Sequence, residues 1–264
     1  MMPALLEQRE EIAKATPHLS YSRINRYLLC PEQYRLYYIE NLRRKFPSGS
    51  LVFGQVVHQA LAGIFRAGED PVRFFLGLWD EVGQMDVEYS SRESWDKLHA
   101  SGQKLLERFV RQELPKLSGI EAVEKVFELK ITSLDQPFVG IIDLVANLDG
   151  KKTVVDFKTA GSAYDEHEAM LSDQLTSYQL AAPDAKQGTL CVLVKTKEPQ
   201  IDWHVTQRGG QQLVEFLAKT EYIAGEIAAR HFYRRPGKWC SWCDYLPVCT
   251  GNAKQISETL VQIR

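Results

Sequence analysis

The sequence lacks any long apolar run and the other marks of a membrane-inserted or secreted chain. Over 264 residues, no stretch approaches the roughly 20 apolar residues that a helix needs to cross a bilayer. Residues 1–10 show no basic region followed by an apolar stretch, so no signal peptide is predicted and the cytoplasm is the expected location. Repeats and low-complexity segments are also absent, and the composition is ordinary for a globular protein.

An excess of positive charge is absent as well. The 32 Lys and Arg residues are outnumbered by 34 Asp and Glu residues, which gives a net charge of −2. Many chains that bind nucleic acid are basic, but a carboxylate-lined metal site adds negative charge, so the average decides little and local clusters matter more. Basic residues cluster at 43–45 and 231–238, and either run alone is typical of a solvated surface.

Cysteine is scarce, and its few positions are unevenly spread. Cys191 lies in an apolar run and is expected to fill the core. Cys30 stands alone near the start, whereas Cys240, Cys243 and Cys249 form C-x2-C-x5-C near the end. In a reducing compartment such a set favours metal ligation over disulfides. Four thiolates suit a 4Fe–4S cluster or a tetrahedral zinc, and spacing alone barely separates the two.

The order of predicted elements changes from helices to strands along the chain. Residues 1–19 are expected to be a frayed or helical lead-in, and Ser22 is predicted to cap the helix that follows. Residues 40–50 are predicted to be a loop, and residues from about 51 to 115 are predicted to be helical. The next elements are predicted strands at 123–131, 137–148 and 153–158, a helix at 165–182, strands at 188–196 and 200–206, and a helix at 208–230. This order predicts an α/β fold, with a mixed sheet at about 120–206, flanking helices and a helical insertion.

Two acidic residues interrupt apolar strands. In the run 154–158, strand alternation places Asp156 and Lys158 on the same face. Asp143 sits in the apolar run G-I-I-D-L-V-A, where a carboxylate is costly unless it is paired or binds a metal. A tight turn between the two strands would bring Asp143 and Asp156 to one Mg²⁺ or Mn²⁺ ion.

Lys158 would then lie beside that metal. It could orient or deprotonate the attacking water and offset charge that develops on a phosphate. A structural Asp–Lys salt bridge at the strand end is the alternative, and D-F-K alone would favour it. The preceding G-I-I-D at a suitable distance favours the metal site.

Three further side chains are candidates for the same site. His58, on an amphipathic helix, could supply an imidazole ligand, although such a histidine is more often a core or boundary residue. Gln174 and Tyr178 are four residues apart and share a helical face, where they could contact the water or the phosphate. Glu124 and Glu128 share a strand face, and either could help to ligate the metal or position water, but surface pairing with Lys125 or Lys130 is the preferred interpretation.

Taken in order, these motifs resemble the RecB-like nucleases of the PD-(D/E)XK superfamily. The chain has G-x-x-x-H at 54–58, G-x-x-D at 140–143, D-x-K at 156–158 and Q-x-x-x-Y at 174–178. The segment 20–31 is similar to that family's S-x-S-x-x-x-x-Y-x-x-C-P entry. The cysteine layout is similar to the iron–sulfur members, namely AddB-type subunits and CRISPR-associated RecB-like exonucleases.

The resemblance implies a single nuclease domain over 19–249, of the restriction-endonuclease-like fold, with a cysteine-clasped cap from 30 and 240–249. It implies that His58, Asp143 and Asp156 bind a divalent metal and that Lys158 is catalytic. It makes Gln174 and Tyr178 auxiliary catalytic residues. It implies that the four clasp residues ligate a 4Fe–4S cluster, and these are Cys30, Cys240, Cys243 and Cys249.

The implied activity is DNA cleavage, as an exonuclease on single strands or ends, in DNA repair, recombination or CRISPR adaptation. Protein partners of such complexes are possible, because no helicase region is present. The alternative is a catalytically silent, nuclease-like module that binds DNA or a partner and carries a structural zinc. A buried set of acids with a lysine argues for the enzyme, because a silent site has no reason to retain it.

Overall fold

The computed structural model describes residues 17–263. The segment scanned for a signal peptide and nearly all of the expected 1–19 lead-in lie outside these residues. The helices are α1 Tyr21–Leu29, α2 Pro31–Tyr34, α3 Gly49–Ala67, α4 Pro71–Val82, α5 Trp95–Arg108, α6 Glu166–Met170, α7 Asp173–Ala181, α8 Gly210–Ala228, α9 Leu246–Thr250 and α10 Ala253–Thr259. The strands are β1 Leu42–Arg44, β2 Leu117–Leu129, β3 Phe138–Leu148, β4 Lys151–Ala160, β5 Gln187–Val194, β6 Gln200–Thr206 and β7 Leu260–Gln262.

Five of the strands form a mixed central sheet in the order β2-β3-β4-β5-β6. Only the β4–β5 pair is parallel, and helices α6 and α7 make the crossover between these two strands. The predicted turn between β3 and β4 is confirmed: Asp149 and Gly150 both have positive φ, as a tight two-residue hairpin requires. The expected mixed sheet flanked by helices is therefore confirmed.

The sheet has a hydrophobic core on each face. Helices α3, α4 and α5 pack on the face that carries Val155 and Phe157, and this layer is the predicted helical insertion. Helices α1, α7 and α8 pack on the opposite face, which carries Val154 and Val192. The alternation of side chains along β4 thus separates the two cores.

The structure corrects several predicted boundaries. Helix α1 is capped by Ser20 rather than Ser22, and it stops at Leu29 because Cys30 is extended and Pro31 starts the next helix. The predicted helix at 165–182 is two helices, because the Ser172 side chain caps a new start at Asp173. The predicted loop at 40–50 contains strand β1.

Strand β1 pairs antiparallel with β7, in a second, two-stranded sheet. Leu42 is in register with Gln262 and Arg44 with Leu260, so residues 42–44 lie beside the C-terminal end of the described chain. No local pattern predicts a three-residue strand whose partner is so distant in sequence. Within residues 17–263, no helix is long and apolar enough to span a membrane.

Candidate active site

The site forms where strands β3 and β4 separate. Their last registered pair at this end is Leu144 with Val155, so the next positions along the two strands are Asp143 and Asp156. There the Asp143 Oδ2 atom accepts a hydrogen bond of 2.9 Å from the backbone N–H of Phe157. A side-chain carboxylate therefore takes the place of the next backbone hydrogen bond between β3 and β4, at the point where the two strands separate.

Both carboxylates are nearly removed from solvent. Asp143 is 8% exposed and Asp156 is 1% exposed. Burial raises the pKa of the Asp156 carboxyl, and repulsion from Asp143 adds to this, while Lys158 acts in the opposite direction. Two neighbouring buried carboxylates are unfavourable unless a positive charge compensates them, so this site requires a cation close to both acids.

Gln174 connects the polar side chains of the site. Its Nε2 donates to Asp156 Oδ1 at 2.6 Å and to the Tyr178 hydroxyl at 2.8 Å. Its Oε1 accepts from Lys158 Nζ at 2.8 Å. Helix α7 starts at Asp173, so Gln174 lies in its first turn and Tyr178 one turn later on the same face. One amide thereby orients an acid, a lysine and a tyrosine together.

Tyr178 is buried against the end of β3. Its hydroxyl oxygen lies 2.6 Å from the carbonyl oxygen of Ile141 and 3.0 Å from Asp156 Oδ1. Because a phenol has one proton, it donates to one of these acceptors at a time. Burial raises the pKa of Tyr178 well above its usual value, and the nearby carboxylates add to this, so it stays protonated.

Lys158 lies over the buried acid. Its Nζ is 2.6 Å from Asp156 Oδ2, although the buried oxygen accepts no hydrogen bond of normal geometry. Burial lowers the pKa of the Lys158 ammonium, but the carboxylates of Asp156 and Asp143 more than offset this, so the net pKa is raised. The lysine is therefore a fixed positive charge in the site.

His58 approaches from the other side of the site, on helix α3. Its Nδ1 lies 3.5 Å from Asp143 Oδ2. One turn earlier on the same helix, a Cβ at Gly54 would come 3.0 Å from the Thr159 hydroxyl oxygen, so glycine permits the close approach of α3 to β4. This contact gives the G-x-x-x-H spacing a physical reason.

These side chains line a cavity of about 280 Å³. Its rim comes from Ser20, Tyr21 and Ser22, at the start of α1. The two serines stood out in the sequence only as part of the S-x-S-x-x-x-x-Y-x-x-C-P motif, and Ser22 as a helix cap, so their place in the lining of the cavity was not predicted. A contact between distant segments places it there: Leu19 bridges to Phe138, at the start of β3.

The donor set fits a hard divalent cation. Two carboxylates and an imidazole are suitable ligands for Mg²⁺ or Mn²⁺, and the buried Asp156 Oδ2 has no hydrogen-bond donor of normal geometry to satisfy it. Across residues 17–263, no group of three or more His, Cys, Asp or Glu side chains is placed so that it could hold a metal ion, and this covers both the acids of the cavity and the cysteines of the predicted clasp.

The two candidate glutamates differ in their surroundings. Glu124 forms an ion pair with Arg66 at the end of α3. It lies on β2 between the registered pairs Val123–Leu144 and Lys125–Ile142, which puts it opposite Asp143. Glu128 is solvent-exposed.

Three cysteines of the predicted clasp, Cys30, Cys243 and Cys249, lie near one another although they are far apart in sequence. Burial raises the pKa of the Cys249 thiol; Arg234 lowers it, and the adjacent Cys243 and Cys30 thiols raise it further. Cys240 shares a tight turn with Cys243, whose N–H donates to the Cys240 carbonyl at 3.3 Å. All of these thiols are half-buried and free, whereas Cys191 is fully buried in β5, as expected for a core residue.

Comparison with known proteins now identifies the family. A family model described as the PD-(D/E)XK nuclease superfamily matches residues 18–250. The chain belongs to the PD-(D/E)XK nuclease superfamily. The predicted superfamily is thereby confirmed, and its substrate class is nucleic acid. The RecB-like, iron–sulfur branch within this superfamily stays a prediction.

Solved structures share the fold at low sequence identity. A protein from Eubacterium rectale, described as a candidate exonuclease, matches with a TM-score of 0.55 and 13% identity, over 86% of this chain and 87% of that chain. A protein named SSO0001 matches at 15% identity over 95% and 96% of the two chains, but its TM-score of 0.46 is too low to support an argument. No curated protein matches the chain.

Proposed function

We propose that this PD-(D/E)XK protein is a metal-dependent deoxyribonuclease of the RecB-like type, acting as an exonuclease on single-stranded DNA or DNA ends. One observation carries the proposal. The buried pair Asp143 and Asp156 lies against Lys158 at the wall of a cavity, where strands β3 and β4 separate. A structural salt bridge alone would not need a second buried acid.

In this proposal Asp143, Asp156 and His58 hold the divalent cation. Such a cation, when bound, supplies Lewis-acid polarisation of the phosphate and lowers the pKa of a water. Lys158, held charged by the two carboxylates, stabilises negative charge that develops on the phosphate and orients the attacking water. Gln174 and Tyr178 hold the side chains of Asp156 and Lys158 in position by hydrogen bonds.

We further propose that Cys30, Cys240, Cys243 and Cys249 ligate one metal centre, a 4Fe–4S cluster rather than zinc. Support comes from the proximity of Cys30 to Cys243 and Cys249 and from thiolates being soft donors. The centre is structural in this proposal, and DNA repair, recombination or CRISPR adaptation is the biological setting. Iron and sulfide analysis of anaerobically prepared protein tests the cluster, and stoichiometric zinc without iron would refute it.

The activity test compares wild type, Asp156→Ala and Lys158→Met on end-labelled single- and double-stranded DNA with Mn²⁺ or Mg²⁺. We expect both variants to lose cleavage by at least two to three orders of magnitude, since they remove a metal ligand and the fixed charge. Lys151→Met is the matched control, because Lys151 is exposed at the far end of the same strand.

Equal cleavage by wild type and Asp156→Ala, purified identically, would show that the activity comes from another site or a contaminant. Absence of cleavage by wild type, across substrates and with the metal centre intact, would favour the silent binding module instead. Retained DNA binding by Asp156→Ala would separate loss of chemistry from loss of folding.

A further inference from the structure

Three half-buried arginines alternate with two half-buried tyrosines in a series that begins one residue after the cavity-lining Ser22. The Arg43 guanidinium lies 3.5 Å from the Tyr37 ring centre, and Arg26 lies 3.7 Å from the same ring. Arg26 is also 5.7 Å from the Tyr38 ring, and Arg23 is 4.4 Å from it. We call this series, Arg43–Tyr37–Arg26–Tyr38–Arg23, the Arg–Tyr ladder.

The arginines of the ladder differ from their neighbours in charge compensation. Arg35 forms ion pairs with Glu32 and Glu40, and Arg44 does so with Glu88 and Asp244. In the described part of the chain, no carboxylate forms an ion pair with an arginine of the ladder, and these guanidiniums contact tyrosine rings instead. Three positive charges thus lie together on a chain whose net charge is −2.

The rings hold these guanidiniums in fixed planes. Two groups within 4 Å of one ring centre cannot share a face without overlapping, so Arg26 and Arg43 cover opposite faces of Tyr37. Contact with a ring face leaves edge N–H groups of Arg23 and Arg26 available to donate to an anion, whereas Arg43 Nη1 already donates to the carbonyls of Tyr37 and Leu42. A planar group that is already oriented loses less conformational freedom on binding phosphate than a free side chain does.

The ladder continues directly from the rim of the cavity. Ser20, Tyr21 and Ser22 line the cavity, and Arg23 is the next residue of α1. Arg26 lies three residues further, a rise of about 4.5 Å along the helix axis. A chain that leaves the cavity along α1 therefore meets Arg23 first, then Arg26 and Arg43.

We propose that the Arg–Tyr ladder binds the backbone phosphates of a single-stranded nucleic acid, next to the phosphate that lies at Asp143 and Asp156. The inference rests on the proposed nuclease function, because it places the same strand in both sites. Guanidiniums stacked in series match a flexible strand, whose phosphates can adapt to their spacing and whose bases can stack on an arginine plane. A surface for an acidic protein would not need to begin at the cavity.

The test measures binding without cleavage, in EDTA, by fluorescence anisotropy with a labelled oligonucleotide. Arg23→Gln/Arg26→Gln is compared with wild type across a salt series. We expect Kd to rise about tenfold or more, and the slope of log K against log salt to shrink by about 1.4, since each phosphate contact on a single strand contributes about 0.7. Arg73→Gln/Arg111→Gln is the control, because both arginines are exposed on other elements.

Two further variants separate a binding role from a purely structural one. Arg23→Lys/Arg26→Lys keeps the charges and should keep most of the salt slope while it loses the planar stacking. Arg23→Gln alone removes only the last member of the ladder, so it serves if the double variant unfolds. Thermal unfolding of each protein shows whether a change in Kd reflects folding.

The outcomes divide cleanly. Wild-type Kd and slope in folded Arg23→Gln/Arg26→Gln would overturn the ladder, and the proposed nuclease would stand if cleavage persists. A loss confined to duplex DNA would also overturn the single-strand assignment. If wild type binds single strands, the arginine variants weaken that binding, and wild type never cleaves, the ladder is supported and the proposed nuclease activity is refuted. No binding of wild type to any nucleic acid would remove both.

Discussion

At the scale of single residues, Gln174 is the side chain on which the geometry of the site depends. It bonds Asp156, Tyr178 and Lys158 with one amide, so it fixes the positions of three site residues relative to one another. Removing such an orienting group leaves Asp156 and Lys158 in place but free to rearrange. Loss of an outer-shell partner of this kind costs roughly 10–100-fold in metal affinity or activity.

We therefore expect Gln174→Ala to lower kcat/KM for DNA cleavage by about 10–100-fold without unfolding the protein. The matched control is Gln179→Ala on the same helix, whose amide bonds only the backbone carbonyls of Ala182 and Ala185. Steady-state kinetics over a Mn²⁺ series checks the prediction. Equal activity of Gln174→Ala and wild type at every metal concentration would exclude an orienting role.

The pair Glu93–Lys195 carries a pH-dependent contribution. Lys195 Nζ lies 2.6 Å from Glu93 Oε1 and 2.8 Å from Ser50 Oγ, with both charged side chains largely buried. Burial by itself raises the pKa of Glu93. Hydrogen bonds from Lys195, Ser50 and Ser90 lower this pKa and outweigh the effect of burial, so the net pKa lies below its ordinary value. A depressed carboxyl pKa contributes stability above the unfolded value, and this is lost as pH falls through the folded value.

Glu93→Gln should thus destabilise the protein by about 1–3 kcal/mol near neutral pH and flatten the decline of stability below about pH 4.5. Urea unfolding at a series of pH values measures both effects. Glu166→Gln, at an exposed position, is the control and should follow wild type. If, below about pH 4.5, the free energy of unfolding of Glu93→Gln falls as steeply as that of wild type, the Glu93–Lys195 pair does not cause the loss of stability in acid.

Site residues were recognisable from the sequence where they broke a local pattern. Asp143 and Asp156 stood out because each is an acid in an apolar strand, and the structure buries both. Ser20 and Tyr21 were not recognisable as site-lining residues, because nothing near them in sequence reveals that Leu19 bridges to Phe138. The Arg–Tyr ladder was missed for the same reason: it joins α1, the turn after α2, and β1.

At the scale of elements, the packing of α4 against α5 depends on a glycine. A Cβ at Gly102 would lie 2.1 Å from Cζ of Phe75, which is itself fully buried and stacked on Trp79. The ring therefore has no room to move. Gly77, on α4, is a contrasting case, because a Cβ there would meet no atom within 4 Å.

We expect Gly102→Ala to destabilise the protein by about 1–3 kcal/mol through overpacking. Gly77→Ala should instead stabilise it by about 0.5–1 kcal/mol, since alanine loses less backbone entropy in a helix. Chemical denaturation of the two variants beside wild type measures both signs. The same sign for both substitutions would show that helix propensity, not the Phe75 contact, governs this layer.

Long elements were predictable and short ones were not. The strands of the central sheet are seven or more residues long, so their hydrophobic pattern survives errors at the ends. Strand β1 spans three residues and depends on a partner at the other end of the chain. The break before α7 depends on one capping serine, Ser172, inside an otherwise helical pattern.

At the scale of the whole molecule, the N-terminal and C-terminal segments of the described chain contact each other through the backbone and through side chains other than cysteine. Strands β1 and β7 pair, and the Tyr27 hydroxyl donates to the His231 carbonyl at 2.7 Å. The Glu32 N–H donates to the Tyr233 carbonyl at 3.0 Å, and the Tyr245 hydroxyl donates to the Leu42 carbonyl at 2.8 Å. The proposed metal centre at the cysteines would therefore reinforce an interface that the polypeptide already makes.

We predict that Cys30→Ser loses the metal centre and a large part of the stability but keeps the secondary structure. A link from Cys30 to Cys240 closes a loop of about 210 residues, which the chain-entropy model values at about 5 kcal/mol. At about 2–4 °C for each kcal/mol in a chain of this size, Tm should fall by about 10 °C or more. The paired strands and hydrogen bonds between the two ends should keep far-UV circular dichroism close to that of wild type at 20 °C.

Cys191→Ala is the control that separates metal loss from the loss of a thiol. Cys191 is fully buried in β5, so its replacement leaves a small cavity, yet it should leave iron and sulfide content unchanged. Chelation of the wild type should reproduce the Tm of Cys30→Ser and have little further effect on that variant, because both act on the same centre. Full metal content together with wild-type Tm in Cys30→Ser would show that this thiol is not a ligand. Metal loss with no change in Tm would show that the bound centre adds no stability to the joined ends, whose backbone contacts would then suffice.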